Sequence, residues 1–220
     1  MEKSFYQEYF FFEKDNWWFV ARRKILLHLL RSHLTRRAGL RVLDAGCGTG
    51  INVQVLGEFG HVTGVDISDD AIAFCRKRGD LSVIRGDLRA LELPDESFDL
   101  VTALDVIEHI DADARATGEL IRVTKPGGHV LITVPAYPSL WSEHDEVNCH
   151  VRRYRAEQLR ALVIGHGCTI RRFSYMNTAL FPLAYGARTI KRLRQRILGA
   201  PNRSPRSDFV DYPPALNRFL

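Results

Sequence analysis

The sequence predicts an α/β fold built on a doubly wound, mainly parallel sheet, and three observations carry that expectation. The first is Val42-Leu43-Asp44-Ala45-Gly46-Cys47-Gly48-Thr49-Gly50, an apolar run closed by an acid and three glycines at alternate positions. Followed by the apolar Ile51-Asn52-Val53, it reads as strand, tight loop and helix. The second is that an acid-ended strand recurs at His61–Ser68, which carries Asp66, and again where Leu81–Arg85 leads to Asp87. The third is the helical stretch between each pair of strands, the spacing that a parallel crossover needs.

Length and composition set the outer limits. A chain of 220 residues, 45% of them hydrophobic, can bury one sizeable core without disulfides. Its four cysteines, Cys47, Cys75, Cys149 and Cys168, form no Cys-x-x-Cys pair, so neither a zinc knuckle nor a secreted framework is expected. A reducing, cytoplasmic location fits that usage. The opening residues lack a signal-peptide core, and no apolar run approaches the ~18 residues of a membrane span. The net charge of +5 is weighted to the second half, too modest a bias to predict a nucleic-acid partner.

In chain order, residues 1–36 form an aromatic and helical cap. Phe5, Tyr6, Tyr9, Phe10, Phe11, Phe12, Trp17, Trp18 and Phe19 need an apolar cover. From Trp18 onward, Ile25, Leu26, Leu29 and Leu30 recur at helical spacing opposite Arg22, Arg23, Lys24 and Arg31, giving an amphipathic helix over 17–34. Such a helix can pack on the sheet and also close over a site to exclude water.

The core, residues 37–175, opens on the glycine loop. Glycines accept positive φ and let a ligand lie against the backbone, while the helix beyond presents unpaired N–H groups. Position 51, where a dinucleotide fingerprint wants its third glycine, is Ile51, which argues against NAD or FAD. Asp66, twenty positions past Gly46, is placed to accept both hydroxyls of a ribose. A polar turn leading into a buried fourth strand is expected over Leu93–Leu104, then a helix at Asp113–Val123, a fifth strand at Gly128–Val134, a helix at 156–166 stopped by Gly167, and a sixth strand at Cys168–Tyr175. A seventh, antiparallel strand is not identifiable. Residues 176–220 add a basic amphipathic helix at 180–198, a Gly/Pro-containing linker and a short tail; a continuation past Leu220 would be one source of the missing strand.

Six motifs in order, Asp-x-Gly-x-Gly-x-Gly, Val-Asp-Ile-Ser, Gly-Asp-Leu, Leu-Pro-x-x-x-Phe-Asp, Glu108-His109-Ile110 and Lys125-Pro126-Gly127-Gly128, carry a family resemblance. The chain resembles class I S-adenosylmethionine (SAM) dependent methyltransferases, a Rossmann-like family, of the type that includes the ubiquinone-biosynthesis O-methyltransferases. The resemblance implies S-adenosyl-L-methionine as cofactor. It further implies that Asp44 helps hold the methionine end, Gly46, Gly48 and Gly50 shape the loop, Asp66 takes the ribose and Asp87 the adenine, with Ile67, Leu88 and Leu104 completing the cofactor site. Residues 105–109 would then lie beside the reacting methyl.

The acceptor side is expected in the insert 136–155, which interrupts the strand-helix rhythm where a parallel sheet delivers residues to its active edge. Its Trp-x-x-His-Asp and His-x-Arg-Arg-Tyr elements resemble a branch of these methyltransferases associated with glycans, glycolipids and secondary metabolites. If the acceptor is a hydroxyl or protonated amine, a base is needed; His144 is the first candidate, with His150 and His109 next. His144, His150 and Asp145 could alternatively form a two-histidine, one-carboxylate metal set, although no metal is expected because these spacings need an unknown backbone to converge. Trp18, Tyr137, Trp141, Arg152, Arg153 and Tyr154 are the candidate acceptor contacts. The arginines could clamp a phosphate or carboxylate, or form ion pairs that pin the loop.

The reading is therefore methyl transfer to a hydroxyl, with amine second, of a small or carrier- or lipid-linked molecule. The competing reading is a non-catalytic SAM-fold binding or regulatory subunit, which retention of Asp44, the three glycines, Asp66 and Asp87 speaks against. RNA methylation would need an Asn-Pro-Pro-Tyr-like tetrad or a catalytic cysteine pair after the fourth strand, where Leu104-Asp105-Val106-Ile107 stands. The helix at 180–198 adds peripheral contact with an anionic membrane, against the plainer reading of a helix packed on its own domain.

Overall fold

The computed structural model describes residues 3–34, 38–176, 178 and 181–198. Two helices, α1 (Lys3–Asp15) and α2 (Trp17–His33), precede the core. Then come β1 (Leu40–Ala45), α3 (Ile51–Leu56), β2 (Gly60–Asp66), α4 (Asp69–Arg78), β3 (Val83–Arg85) and β4 (Phe98–Leu104). A 3₁₀ turn (Ile107–His109), α5 (Asp113–Arg122), β5 (Thr124–Thr133), a second 3₁₀ turn (Pro138–Leu140), α6 (Glu143–Val147), α7 (Ala156–Gly165) and α8 (Phe181–Leu198) follow.

The sheet has the order β3-β2-β1-β4-β5, and each pairing is parallel. The chain winds outward from β1 to β3, then crosses back to β4 on β1's other side. Ligands of such sheets bind where the winding direction reverses, at the carboxyl ends. Here that is the gap between the ends of β1 and β4.

Strands covered on both faces should read as continuous apolar runs, and β1 and β4 do. Alternate residues go to opposite cores. Val42 and Leu100 join Leu30, Leu34, Leu56 and Phe59 on one face. Leu43 and Val101 join Val65, Leu120 and Tyr154 on the other. The helix expected at 17–34 is α2; Asn16 caps it by accepting the Trp18 N–H at 3.0 Å, and Leu26 and Leu30 are buried. The aromatic N-terminus finds its cover largely on α4, where Tyr6 and Phe10 pack on Ala71 and Phe74. Ser68 caps α4, with Asp69 and Asp70 in its first turn and three basic residues in its last, complementing the helix dipole.

The sixth strand expected at Cys168–Tyr175 does not form; those residues are irregular. Arg171, Arg172 and Ser174 interrupt its apolar pattern, and its aromatics are used elsewhere. Phe173 lies under the Arg160 guanidinium at 4.1 Å, and Tyr175 stacks on Tyr137 at 5.3 Å. β5 starts earlier than expected, at Thr124, with a register shift between Phe98 and Leu100 that accommodates the Pro-Gly-Gly turn. The helix at 156–166 is α7, and Gly167 follows it with a φ of +81°. The tail beyond residue 198 lies outside the described residues. Among the described residues no helix is long and apolar enough to cross a membrane.

Candidate cofactor and acceptor site

The acids at the strand ends meet the glycine loop. Gly46 and Cys47 donate their N–H groups to the Val65 carbonyl at 2.7 and 2.9 Å, folding the loop back over β2. Gly46 has a φ of +75°, and a Cβ there would come within 2.5 Å of Val106, so only glycine lets the loop pass the β4 exit. A Cβ on Gly48, whose φ is +53°, would meet nothing within 4 Å. The loop thus presents bare backbone to open space, as a ligand cradle requires.

Asp66 is oriented by two backbone donors, Gly48 N–H to one carboxylate oxygen and Ser68 N–H to the other, each at 2.9 Å. Each oxygen keeps a lone pair for a further donor. Burial raises the Asp66 pKa, with these N–H groups working against that rise. Asp44 is fully buried; Thr102 donates its hydroxyl to Asp44 Oδ1 at 2.7 Å, while Oδ2 has no partner. Burial pushes its carboxyl up to about 7. An acceptor left unsatisfied beside the loop fits a cofactor that brings an ammonium, and SAM does. Asp87 lies beyond β3 but is only half-buried, and the Arg89 guanidinium holds it at 2.6–3.0 Å, below its ordinary pKa. Ile67 is exposed beside Asp66, an apolar surface on which a flat ring can lie, and Leu88 is buried in the core. Leu104 lines a small apolar cavity under α2, together with Leu26 and Leu30.

The N-terminal cap is latched to this loop, which the sequence did not disclose. Arg78 of α4 pairs with Glu13 of α1 at 2.8 Å and donates Nε–H to the Thr49 carbonyl at 2.6 Å. It also reaches the Phe10 carbonyl at 3.2 Å and lies 4.3 Å over the Phe10 ring. Thr49 donates its hydroxyl to Glu13. Burial raises the Glu13 pKa, opposed by Thr49 and Arg78. Farther along, Arg22 of α2 binds Asp105 at 2.7 Å and donates to Thr133 at 2.8 Å, tying the cap to the ends of β4 and β5.

On the acceptor side, Glu108, His109 and His150 converge: one ligating atom from each lies within 4.8 Å of the other two. Both carboxylate oxygens of Glu108 are buried without a partner, and burial, then the Asp105 charge, drive its pKa well above the ordinary value. The rings of His109 and His150 meet edge-on at 4.7 Å. Burial, then His150, hold His109 down at about 4. Asp145, wholly buried on α6, binds His150 Nδ1 at 2.9 Å and is gripped at both oxygens by Arg153 at 2.7 and 3.0 Å. Despite the cost of burial, these partners keep it well below the usual carboxylate range.

The alternative metal set of His144, His150 and Asp145 does not assemble. Asp145 is spent on Arg153 and His150, the His144 and His150 rings stand 6.3 Å apart, and His144 packs on the Asn148 amide. Glu108 takes its place. It stood in the sequence as a lone acid in the run Val106-Ile107-Glu108-His109-Ile110, a signal the expected site did not use. The arginine and tyrosine of the insert are committed internally. Arg152 pairs with Asp113 at 2.7 Å and donates to the Asp111 carbonyl, and Tyr154 is buried with its hydroxyl donated to Asp113 at 2.8 Å. They pin the insert to α5. Tyr137 forms a stack with Tyr175 and Phe181, Trp141 closes the second 3₁₀ turn through its N–H to Pro138, and Trp18, half-buried, meets Trp17 edge-on.

Comparison with known proteins agrees with this geometry. Residues 43–132 match the family described as a methyltransferase domain. A probable S-adenosylmethionine-dependent methyltransferase of Mycolicibacterium smegmatis is 37% identical over 124 residues, 56% of this chain and 47% of that protein. A malonyl-[acyl-carrier protein] O-methyltransferase of Pectobacterium atrosepticum is 36% identical over 117 residues, 52% of this chain and 45% of that one. The chain thus spans about half the length of these two relatives. Phosphoethanolamine N-methyltransferase 2 of Haemonchus contortus, solved with S-adenosyl-L-methionine, superposes with a TM-score of 0.61 at 25% identity, covering 82% of this chain and 45% of that one. With its sheet order and its acid-ended strands, the chain has the fold of the class I SAM-dependent methyltransferases, and its residues 43–132 match a methyltransferase domain.

Proposed function

We propose that this chain transfers the methyl group of SAM to a hydroxyl oxygen of a small or carrier- or lipid-linked molecule. The observation that carries the choice of oxygen is the convergence of buried Glu108 and half-buried His109, just past the end of β4, with half-buried His150 of the insert. A neutral amine already has its lone pair available, whereas a hydroxyl must shed its proton near the moment of attack. Proton-handling groups held at the acceptor position therefore serve a hydroxyl best. His150, braced by Asp145, is better set for this than His144, the first choice from sequence. The relatives support the reaction class but divide on the atom, one being named for O-methylation and one for N-methylation.

When bound, the cofactor supplies a methyl on a positively charged sulfur. Asp44, the glycine loop, Asp66, Ile67 and Asp87 would hold it in place, and α2 with Trp18 would keep water from the reacting centre. The acceptor hydroxyl would give its proton to His150, whose charged ring Asp145 would stabilise, leaving the oxygen pair free to take the methyl group that the cofactor would supply. The protein would be incubated with SAM and panels of hydroxyl, carboxylate and amine acceptors, and the added methyl located by fragmentation mass spectrometry. Methyl on a hydroxyl oxygen is the expected result; methyl on nitrogen or carbon refutes the oxygen assignment.

A lipid-linked acceptor is favoured by α8. Phe181 rests on Tyr137 at 5.2 Å, but Leu183 and Ile190 are 73% and 69% exposed, among interleaved basic residues. Such a helix suits an anionic surface. Co-sedimentation with anionic liposomes is expected at low salt and should weaken at moderate salt. Absence of binding at both would dispose of the membrane reading.

A further inference from the structure

We propose that Glu108, His109 and His150 form a binding site for one divalent transition-metal ion of the zinc type, at the acceptor end of the cofactor cleft. Three independent features of the cluster point to a cation. First, the donor set is two imidazoles and one carboxylate, the set that leaves a zinc-type ion at least one open position. The ligating atoms already lie within 4.8 Å of one another, so drawing each in by less than about 1 Å reaches the ~2.0–2.2 Å of zinc–nitrogen and zinc–oxygen bonds.

Second, Glu108 is completely buried and, among the described residues, neither of its oxygens receives a hydrogen bond of ordinary geometry. A carboxyl with no hydrogen bond is costly to keep in a protein interior. Arg22 and Arg153, whose charges act on Glu108, are taken up by Asp105 and Asp145. A metal ion is the partner the cluster lacks.

Third, the second shell is already built. Metal-binding imidazoles generally give their other ring nitrogen to a carboxylate or a backbone group, which fixes ring orientation. His150 has Nδ1 on Asp145, itself locked by Arg153, and His109 is hydrogen-bonded to the backbone of Cys149. Each imidazole keeps one nitrogen over. The two segments bearing the cluster are also held in uncommon backbone: Asp105 and Cys149 have φ values of 57° and 56°. The Val151 N–H, donated to the Glu108 carbonyl at 2.9 Å, keeps the segments in register.

The open position would take the acceptor's hydroxyl oxygen and lower its pKa, so that with the ion bound His150 serves as a ligand and the ion takes over the task of releasing the proton; that role rests on the proposed transfer to oxygen, whereas the site itself rests on the geometry. The full chain would be stripped with a chelator and titrated with zinc chloride by calorimetry, with equilibrium dialysis giving the stoichiometry. One equivalent is expected. Glu108→Gln and His150→Ala should each weaken zinc binding at least 100-fold, and Asp145→Asn, which touches the cluster through His150 and also releases Arg153, by about 10–100-fold. SAM binding by each variant, measured in parallel, reports on folding and on the cofactor site. Cobalt absorption of the four- to five-coordinate type in the wild-type protein, lost in His109→Ala, is a second readout. A stripped protein that binds SAM but takes up no zinc, or takes it up equally in all variants, overturns the metal site and leaves the methyltransferase reading intact. Failure to bind SAM would overturn that reading instead.

Discussion

Replacing Arg78 with methionine is expected to destabilise the protein by about 3–5 kcal/mol, the usual consequence of stripping one partner from a buried ion pair. Arg78 and Glu13 are 7% and 13% exposed at their side chains, so water cannot take over the role of the lost group. The same change frees the Thr49 and Phe10 carbonyls, which loosens α1 from the glycine loop it covers. Methionine keeps much of the apolar contact with the Phe10 ring, so the loss reports on charge and hydrogen bonding more than on volume. Glu13→Gln removes the charge that Arg78 neutralises. In the double variant the cost should fall well short of the two single costs added together, since neither partner is then left charged and alone. Urea denaturation of the four proteins measures this cycle. Single costs below about 1 kcal/mol that simply add would show that the latch is not a coupled unit.

The latch also marks how far the sequence could be read. Strand ends are legible because each one combines an apolar run, an acid and a turn residue within a few positions, and Asp44, Asp66 and Asp87 fell where those local signals placed them. The Glu13–Arg78 pair spans 65 positions, and nothing near either residue distinguishes it from the many other surface-type charges. The acceptor side failed for a related reason. In the insert, His144, Asp145 and His150 are close in sequence, yet the backbone of α6 turns His144 to Asn148 and gives Asp145 to Arg153. The partner that completes the cluster, Glu108, comes from the 3₁₀ turn after β4, on the strand beside the one from which the insert leaves. The sixth strand expected at Cys168–Tyr175 is replaced by irregular chain whose aromatic members pack on Arg160 and Tyr137, partners that no local pattern identifies.

Asp44 supplies the other large effect, and its sign differs between the free and the cofactor-bound protein. With its carboxyl pushed up to about 7 by burial, Asp44 in the free protein carries a proton over much of the acidic range. A folded pKa above the unfolded value of ~3.9 means its stabilising contribution is complete below about pH 4 and is lost as pH rises through 7, up to about 4 kcal/mol in all. Asp44→Asn keeps an acceptor for the Thr102 hydroxyl and removes the titration. Without cofactor, this variant should be more stable than wild type at pH 8 and flat where wild type declines. With SAM the order reverses, because the ammonium of the cofactor is held best by the ionised carboxylate. Wild-type affinity should rise roughly fifteen-fold from pH 5.5 to pH 7 as the proton on Asp44 ceases to compete, a range in which an α-amino group stays largely protonated. The asparagine variant should bind more weakly and with little slope. Calorimetry in two buffers of different ionisation enthalpy reads the released proton directly, and an equal slope in both proteins would show that another group is responsible. On the proposed assignment, the Oδ2 that has no partner among the described residues and costs the free protein stability at neutral pH would be the atom that meets the cofactor's ammonium, so that one buried carboxylate would set both the instability and the pH dependence of binding.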